Sequence, residues 1–166
     1  NWSIKNSPEF WSRFWDFSKI KGVKSKRKLR KSKIFYKNLF LPGTKLNFGE
    51  NLLSKNTEEK AVTFISENGF REERSWRQLN LNTSKIINFF KKIKIKKGDR
   101  VAAYMPNIIE TVEAFIATTS LGGIWSSCSP DFGSKGVVER FSQINPKVLF
   151  VTDQYFYNGK KNRCFN

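Results

Sequence analysis

The stretch from residue 98 to residue 153 constrains the fold of this 166-residue chain more than any other. It contains three short apolar runs bounded by glycine, proline or polar residues, which is typical of buried strands. Two amphipathic segments separate the runs, and their apolar residues recur at helical spacing. The expected strands are residues 101–105, 124–128 and 147–152. Strand, helix, strand, helix, strand with short connections predicts a parallel α/β sheet.

Local signals support several of the expected elements. Asn107 is expected to cap the first helix of the core, and Glu110 would complete a pair that resembles a capping box. Ser75 is expected to cap an earlier helix that begins directly after it. The two strand-like runs before that helix flank Asn68-Gly69, a dipeptide that favours a tight β-hairpin in which both turn residues have positive φ. An antiparallel hairpin is therefore expected to precede the parallel core.

The N-terminal region combines an aromatic helix with a cationic stretch. The helix is expected to start at residue 6 or 7, with Ser7 as its cap and Pro8 in its first turn, and to use one aromatic face for docking. Residues 19–37, here called the basic segment, hold ten Lys or Arg and no acid, out of a net charge of +17. Such a tract can attract nucleic acid or an anionic surface. A solvated, irregular loop is the simpler interpretation, because residues 24–33 contain neither a binding motif nor interleaved aromatic residues.

Composition excludes several classes of function. The chain has no histidine, which excludes Ser-His and Cys-His nucleophile systems. Its two cysteines, Cys128 and Cys164, provide no disulfide framework and make a zinc site an unfavoured interpretation. No apolar run reaches the length of a membrane span, and no signal-peptide pattern opens the chain. A cytoplasmic location is expected.

Two collinear stretches carry a family resemblance: VAAYMPN at residues 101–107 and WSSCSPDFG at residues 125–133. They resemble the adenylate-forming acyl-CoA synthetases, and within that superfamily the acetoacetyl-CoA synthetases. The resemblance implies a fold class: the incomplete N-terminal part of the large α/β domain of an adenylate-forming enzyme. It also implies two regions, a leader region over residues 1–56 and the truncated start of the AMP-binding domain over residues 57–166.

The resemblance further implies an activity, the ATP-dependent joining of acetoacetate to CoA through an acyl-adenylate. ATP, CoA and Mg²⁺ are the implied cofactors, the partners are small-molecule substrates, and nucleic acid is not expected. Acetate or propionate as the acid, and a basic binding module, remain the alternatives. The phosphate loop and the metal-binding acid of the family have no counterpart here, so no catalytic residue and no metal ligand is assigned. The isolated chain is expected to be inactive.

One turn and one strand contain the remaining candidate residues. By resemblance Asn158, Gly159 and Lys160 are candidate CoA contacts, with Lys160 as the cation for a phosphate and Gly159 allowing close approach of the backbone. An ordinary Asn-Gly turn explains the same residues equally well. Cys128 and the serines beside it are nucleophile types without a base, and we interpret them as part of a buried strand. Asp131 is interpreted as a turn or cap residue.

Overall fold

The computed structural model describes residues 1–164, which form two compact units that divide after Asn51. The first unit is built from short elements: α1 (Trp2–Lys5), α2 (Ser7–Phe17), β1 (Gly22–Val23), β2 (Leu29–Arg30), β3 (Leu39–Phe40), β4 (Lys45–Leu46) and α3 (Phe48–Leu52). Strand β1 pairs with β4 and β2 pairs with β3, both antiparallel. The last two residues of the expected domain over 57–166 lie outside the described residues.

The basic segment is more ordered than a solvated loop, since it contains β1 and β2. Lys24 Nζ donates to the Ser12 carbonyl at 2.8 Å and to Asp16 Oδ2 at 2.6 Å. Lys28 Nζ donates to Glu9 Oε2. These contacts bind the segment to α2 and neutralise part of its charge. The expectation of an irregular loop is therefore wrong for this part of the segment.

The second unit contains the longer elements: β5 (Lys60–Ile65), β6 (Arg71–Ser75), α4 (Trp76–Lys92), β7 (Arg100–Tyr104), α5 (Ile109–Ser120), β8 (Ile124–Cys128), α6 (Gly133–Ile144), β9 (Val148–Val151), β10 (Gln154–Tyr157) and β11 (Lys160–Arg163). Strands β5 and β6 form an antiparallel hairpin, and β10 and β11 form another. Across residues 1–164, no helix combines the length and apolarity that crossing a bilayer requires.

Strands β7, β8 and β9 form a parallel sheet in the order β8-β7-β9, which confirms the predicted parallel core. Val101 in β7 lies opposite Trp125 in β8 and opposite Val148 in β9. The middle residues of β7 are fully buried. A central parallel strand is covered on both faces, which explains why its sequence is a continuous apolar run and not an alternating one.

Helices cover both faces of the sheet. On one face Phe90 of α4 and Ala117 of α5 pack with Val101, and Phe150 of β9 joins them. The opposite face has its own cluster, in which Val137 and Phe141 of α6 pack with Ala102 and Cys128. Successive residues of β7 thus point to opposite layers, as the pleat requires.

The predicted helix caps have mixed outcomes. Ser75 is confirmed: Gln78 N–H donates to Ser75 Oγ and Ser75 N–H donates to the Gln78 side chain, a complete capping box. The predicted cap at Asn107 is wrong, because α5 begins one residue later, after Ile108. Its first turn is bound instead by Thr111 Oγ1, which donates to the Pro106 carbonyl at 2.8 Å.

The predicted cap at Ser7 is also wrong. Asn6 precedes α2, and its carbonyl accepts the N–H of Phe10 at 2.9 Å, so Ser7 is already the first helical residue. The cause is α1, which ends directly before Asn6 and whose Trp2 carbonyl accepts the Asn6 N–H at 2.8 Å. Pro8 lies in the first turn of α2, as expected.

The β5–β6 turn differs from the predicted type. Gly69 N–H donates to the Ser66 carbonyl at 3.0 Å, and Gly69 has φ of 80°, whereas Asn68 is not among the residues with positive φ. This is the pattern of a type I turn followed by a glycine bulge. Asn68 contributes through its side chain, whose Oδ1 accepts the Phe70 N–H at 3.0 Å. The hairpin is confirmed, and the expected pair of positive φ angles is wrong.

A charged cluster fixes this hairpin to the helices behind it. Arg74 of β6 forms ion pairs with Glu72 at 2.6 Å, with Glu110 at 3.3 Å and with Glu113 at 3.6 Å. Asn82 of α4 donates to Glu113 Oε1 at 2.8 Å. Glu113 is 4% exposed, and burial raises the pKa of its carboxyl despite the hydrogen bond from Asn82. The cluster joins β6, α4 and α5, and so fixes the end of the hairpin that lies opposite its turn.

Candidate functional site

The three parallel strands end on the same side of the sheet, at Tyr104, Cys128 and Val151. In open parallel sheets, ligands bind in the crevice outside these carboxyl ends. Residues that follow each strand line two cavities here, together with residues of both hairpins. The carboxyl edge of the sheet is therefore where a site is expected.

The two cavities adjoin each other between the hairpins. One has a volume of about 300 Å³ and is lined by Phe64, Ser66, Asn68, Phe70, Pro106, Ile108, Thr152, Gln154, Tyr155 and Phe156. The other has a volume of about 280 Å³, shares five of these residues, and adds Ile65, Glu67, Asn107, Ser129, Asp131 and Tyr157. Each cavity has four aromatic residues in its lining, and only the second has carboxylates, those of Glu67 and Asp131.

Hydrogen bonds order the wall that follows β8. Ser129 Oγ donates to Asp131 Oδ2 at 2.8 Å, and Tyr104 Oη donates to the Pro130 carbonyl at 2.8 Å. Burial raises the pKa of Tyr104, and burial together with the neighbouring Asp131 raises the pKa of Tyr155. Both phenols stay protonated at neutral pH, so they act as hydrogen-bond donors and not as bases.

The candidate CoA residues form the turn of the β10–β11 hairpin. Asn158 has φ of 52° and Gly159 has φ of 69°, and Tyr157 pairs with Lys160 across them, which is the pattern of a type I′ turn. All three candidates are exposed. A Cβ built on Gly159 would meet no atom within 4 Å, so the backbone is open to a ligand on that side. Whether these residues contact CoA stays a prediction.

The same turn touches the other hairpin. Gly159 N–H donates to Glu67 Oε2 at 3.1 Å, and Glu67 lies in the β5–β6 turn, 92 positions earlier in the chain. Glu67 is one of the two carboxylates that line the smaller cavity. Sequence reasoning missed this residue, since a single Glu in a turn carries no signal for a contact so distant in sequence.

The stretch from Trp125 to Gly133 contributes walls and not a nucleophile. Cys128 is 7% exposed and packs in the core with Val137 and Phe141. Ser129 accepts the Asp131 N–H and caps a short 3₁₀ turn, as expected for turn and cap residues. A side chain buried in an apolar cluster, in a chain without histidine, has no base to activate it.

The described residues do not provide a metal centre. Within residues 1–164, no group of three or more His, Cys, Asp or Glu side chains is placed to hold a metal ion. Asp131, the carboxylate beside Tyr155, is already bound by Ser129 Oγ. Among the described residues, this edge of the sheet therefore supplies no ligand set for a metal ion.

Comparison with protein-family models finds one that matches residues 51–164, described as AMP-binding enzyme. Among curated proteins, the acetoacetyl-coenzyme A synthetase of Rhizobium meliloti (strain 1021) is 40% identical over 161 residues, which cover 97% of this chain and 25% of that protein. Malonamoyl-CoA synthetase vrtB of Penicillium aethiopicum is 33% identical over 168 residues, which cover 96% of this chain and 23% of that protein.

A solved structure has the same fold. Acetoacetyl-CoA synthetase from Streptomyces lividans superposes with a TM-score of 0.88 at 30% sequence identity, over 98% of this chain and 26% of that one. The chain thus spans about a quarter of the length of the relatives that it matches. The mixed α/β architecture with a parallel core corresponds to the N-terminal part of a much larger enzyme, as the sequence predicts.

Proposed function

The chain belongs to the AMP-binding enzyme family, and from that premise we propose that it is part of an ATP-dependent acetoacetate–CoA ligase. The reaction joins acetoacetate, ATP and CoA and yields acetoacetyl-CoA, AMP and pyrophosphate through an acyl-adenylate. The observation that carries the proposal is the combination of 40% identity to an acetoacetyl-coenzyme A synthetase with a TM-score of 0.88 to another. Both similarities extend over nearly the whole chain.

Within this proposal, the β10–β11 turn contributes a CoA contact. Lys160 supplies an exposed cation for a phosphate, and Gly159 allows the ligand to approach the backbone closely. Asn158 gives the turn its shape, because asparagine tolerates the positive φ that a type I′ turn requires. A phosphate held only by such exposed groups gains modest affinity, so the turn would orient one end of CoA without dominating its binding.

The proposal divides the chain into a leader region over residues 1–56 and the start of the AMP-binding domain from residue 57. It assigns ATP and CoA as substrates, and small molecules rather than nucleic acid as partners, in a cytoplasmic enzyme. Mg²⁺ would neutralise the phosphates of ATP, but the described residues do not fit a metal site, so no step is derived through it here. None of these 166 residues is assigned a catalytic role.

The proposal is tested with the protein expressed as its natural full-length product. We expect release of pyrophosphate from ATP that depends on acetoacetate, with acetate and propionate much poorer. Preference for acetate or propionate would refute the choice of acid and leave the adenylation chemistry standing. Absence of acid-dependent pyrophosphate release with any of a panel of short acids would refute the ligase assignment. The 166-residue chain assayed separately is expected to release none.

For the acid substrate, one relative suggests a specific alternative to acetoacetate. A relative named malonamoyl-CoA synthetase is 33% identical over almost the same stretch, so similarity in this quarter does not by itself select one acid. Malonamic acid therefore belongs in the panel. A larger kcat/KM for malonamate than for acetoacetate would move the substrate assignment to that acid.

The CoA contact proposed for the β10–β11 turn (residues 158–160, here called the CoA turn) is tested separately by Lys160→Met, with Lys161→Met as its matched control. Neighbouring residues of a strand point to opposite faces, so only one of the two ammonium groups can serve the same ligand phosphate. We expect Lys160→Met to raise the Kd for CoA about fivefold, the effect of one unit charge near a phosphate in water, and Lys161→Met to leave it unchanged. Equal effects of both substitutions would refute a specific role for Lys160.

A further inference from the structure

Glu67 occupies a position where a ligand anion would bind if the CoA turn works as proposed. Its Oε2 accepts the Gly159 N–H at 3.1 Å, and this amide belongs to the turn that also carries Lys160. An exposed amide in a turn that a ligand can approach is a natural donor to a phosphate oxygen. In the structure a carboxylate of the protein itself already accepts from that donor.

The contact joins the turns of two hairpins. The β5–β6 hairpin is held at the end opposite its turn by Arg74, whose ion pairs reach Glu110 and Glu113 of α5. In the β10–β11 hairpin, the type I′ turn sets the direction of the Gly159 N–H. The Glu67 side chain bridges the two turns and also lines the smaller cavity, together with Tyr157 at the end of β10.

Electrostatics make this arrangement unfavourable for a bound phosphate. A carboxylate and a phosphate oxygen cannot both accept the same N–H, and their negative charges repel at contact distance. Asp131 adds a second carboxylate to the same cavity wall. The approach to Lys160 therefore combines an attractive cation with a competing internal anion.

We propose that Glu67 is an internal anion that occupies the Gly159 amide in the free protein and is displaced by a phosphate group of the ligand. This inference rests on the proposed CoA turn. Displacing Glu67 offsets part of the affinity that Lys160 gives, so Glu67 weakens binding of a ligand that places a phosphate at this position. A ligand without that phosphate leaves the hydrogen bond between Glu67 and Gly159 intact, so its affinity does not depend on Glu67.

The test measures CoA and 3′-dephospho-CoA binding to the natural full-length protein by calorimetry, for wild type, Glu67→Gln and Lys160→Met. Glu67→Gln keeps the size of the side chain and removes its charge. We expect it to lower the Kd for CoA about fivefold, the effect of one charge at close range in water. The control for a general change of charge is Glu139→Gln, because Glu139 is an exposed residue of α6 that lines neither cavity.

Glu67→Asp distinguishes the effect of the hydrogen bond to the Gly159 amide from the effect of the negative charge at residue 67. It keeps the negative charge but shortens the side chain by one methylene, so it weakens the hydrogen bond to Gly159. An improvement of CoA binding with Glu67→Asp as well as with Glu67→Gln supports displacement of an occupying group. Thermal unfolding of each variant identifies any loss of folding, and Glu67→Asp keeps the test decisive if Glu67→Gln does not fold.

The outcomes separate this inference from the function on which it rests. If Lys160→Met weakens CoA binding and Glu67→Gln does not strengthen it beyond Glu139→Gln, the internal-anion inference is overturned while the CoA turn stands. If neither Lys160→Met nor Glu67→Gln changes the Kd, the CoA turn itself is refuted, and the inference with it. If Glu67→Gln lowers the Kd for 3′-dephospho-CoA as much as it lowers the Kd for CoA, the inference is also contradicted, because the gain then does not require the phosphate.

Discussion

Truncation of Phe90 tests whether α4 and the parallel sheet form one cooperative core. Phe90 is fully buried, and its ring meets that of Phe150 on β9 edge-to-face, with centroids 5.9 Å apart. Its neighbour Phe89 lies on the same helix but is 49% exposed. The pair offers identical substitutions, Phe90→Ala and Phe89→Ala, in two different environments.

The expected costs follow from these environments. Removing a fully buried ring loses its transfer free energy and leaves a cavity, which costs about 3–5 kcal/mol. Truncating the half-exposed Phe89 loses about half of the transfer term and leaves no closed cavity, so about 1 kcal/mol is expected. Both substitutions gain the same helix propensity, which cancels in the comparison. The difference of at least about 2 kcal/mol corresponds to about 30-fold in an equilibrium constant.

Amide hydrogen exchange in the natural full-length protein provides the assay, because it reports the opening of this core even when other parts unfold separately. Peptides from α4 and β7 should exchange at least about 30-fold faster in Phe90→Ala than in Phe89→Ala. Faster exchange limited to α4, with β7 unchanged, would refute the single cooperative core. Equal acceleration by the two substitutions would refute the packing argument itself.

Three further predictions concern a cap, two glycines and a buried acid. Ser75→Ala should lower the free energy of unfolding by about 1 kcal/mol in urea titrations because the capping box is lost. Ser84→Ala, at an exposed position inside the same helix, should instead raise it by a few tenths of a kcal/mol, roughly the gain in helix propensity. Gly123→Ala should destabilise by about 1–3 kcal/mol, since its Cβ would lie 2.9 Å from a methyl carbon, while Gly136→Ala in α6 should stabilise by about 0.5–1 kcal/mol, both judged from thermal melts. The raised pKa of the Glu113 carboxyl means that its ionisation costs stability as the pH rises above the usual value of 4.5. Glu113→Gln should therefore become more stable relative to wild type between pH 4.5 and 7.5. A stability difference between the two proteins that stays constant across that range would contradict this prediction.

The parallel core could be predicted because its signals are local and consistent. Each strand is a short apolar run between turn residues, and β7 is apolar throughout because helices cover both faces of the sheet. Ser75 was predictable for the same reason, since a capping box is completed by a residue three positions away. In these places local preference and tertiary packing agree.

The errors lie where tertiary context decides between similar local solutions. Asn107 and Ser7 are both good capping residues, but each lies one position away from the N-cap of its helix. Asn68 lies in a three-residue loop between the hydrogen-bonded residues Ser66 and Phe70, so only the glycine after it needs positive φ. None of these choices changes the topology. They do change which polar side chains are engaged with the backbone.

Only part of the candidate site could be predicted from the sequence. The Asn158-Gly159 turn is a local pattern, and its predicted turn geometry is present. Its partner Glu67 is 92 positions away, and no periodicity or spacing connects the two. A count of charged residues would have indicated the basic segment as the site, since it holds far more cations than the β10–β11 hairpin.

The distribution of charge explains why net charge is a poor guide to function in this chain. Of the 31 Lys and Arg and the 14 Asp and Glu, residues 1–51 hold 13 and 3, a net of +10, which leaves +7 for the remaining 115 residues. Exposed charges more than about 8 Å apart are largely screened at physiological ionic strength, so a ligand at the β10–β11 turn responds mainly to the charges beside it. Those charges include the cations Lys160 and Lys161 and the carboxylate of Glu67, whose Oε2 accepts the Gly159 N–H. If the turn binds CoA as proposed, its selectivity therefore depends on which anion the Gly159 amide accepts, and not on the excess of positive charge in the composition.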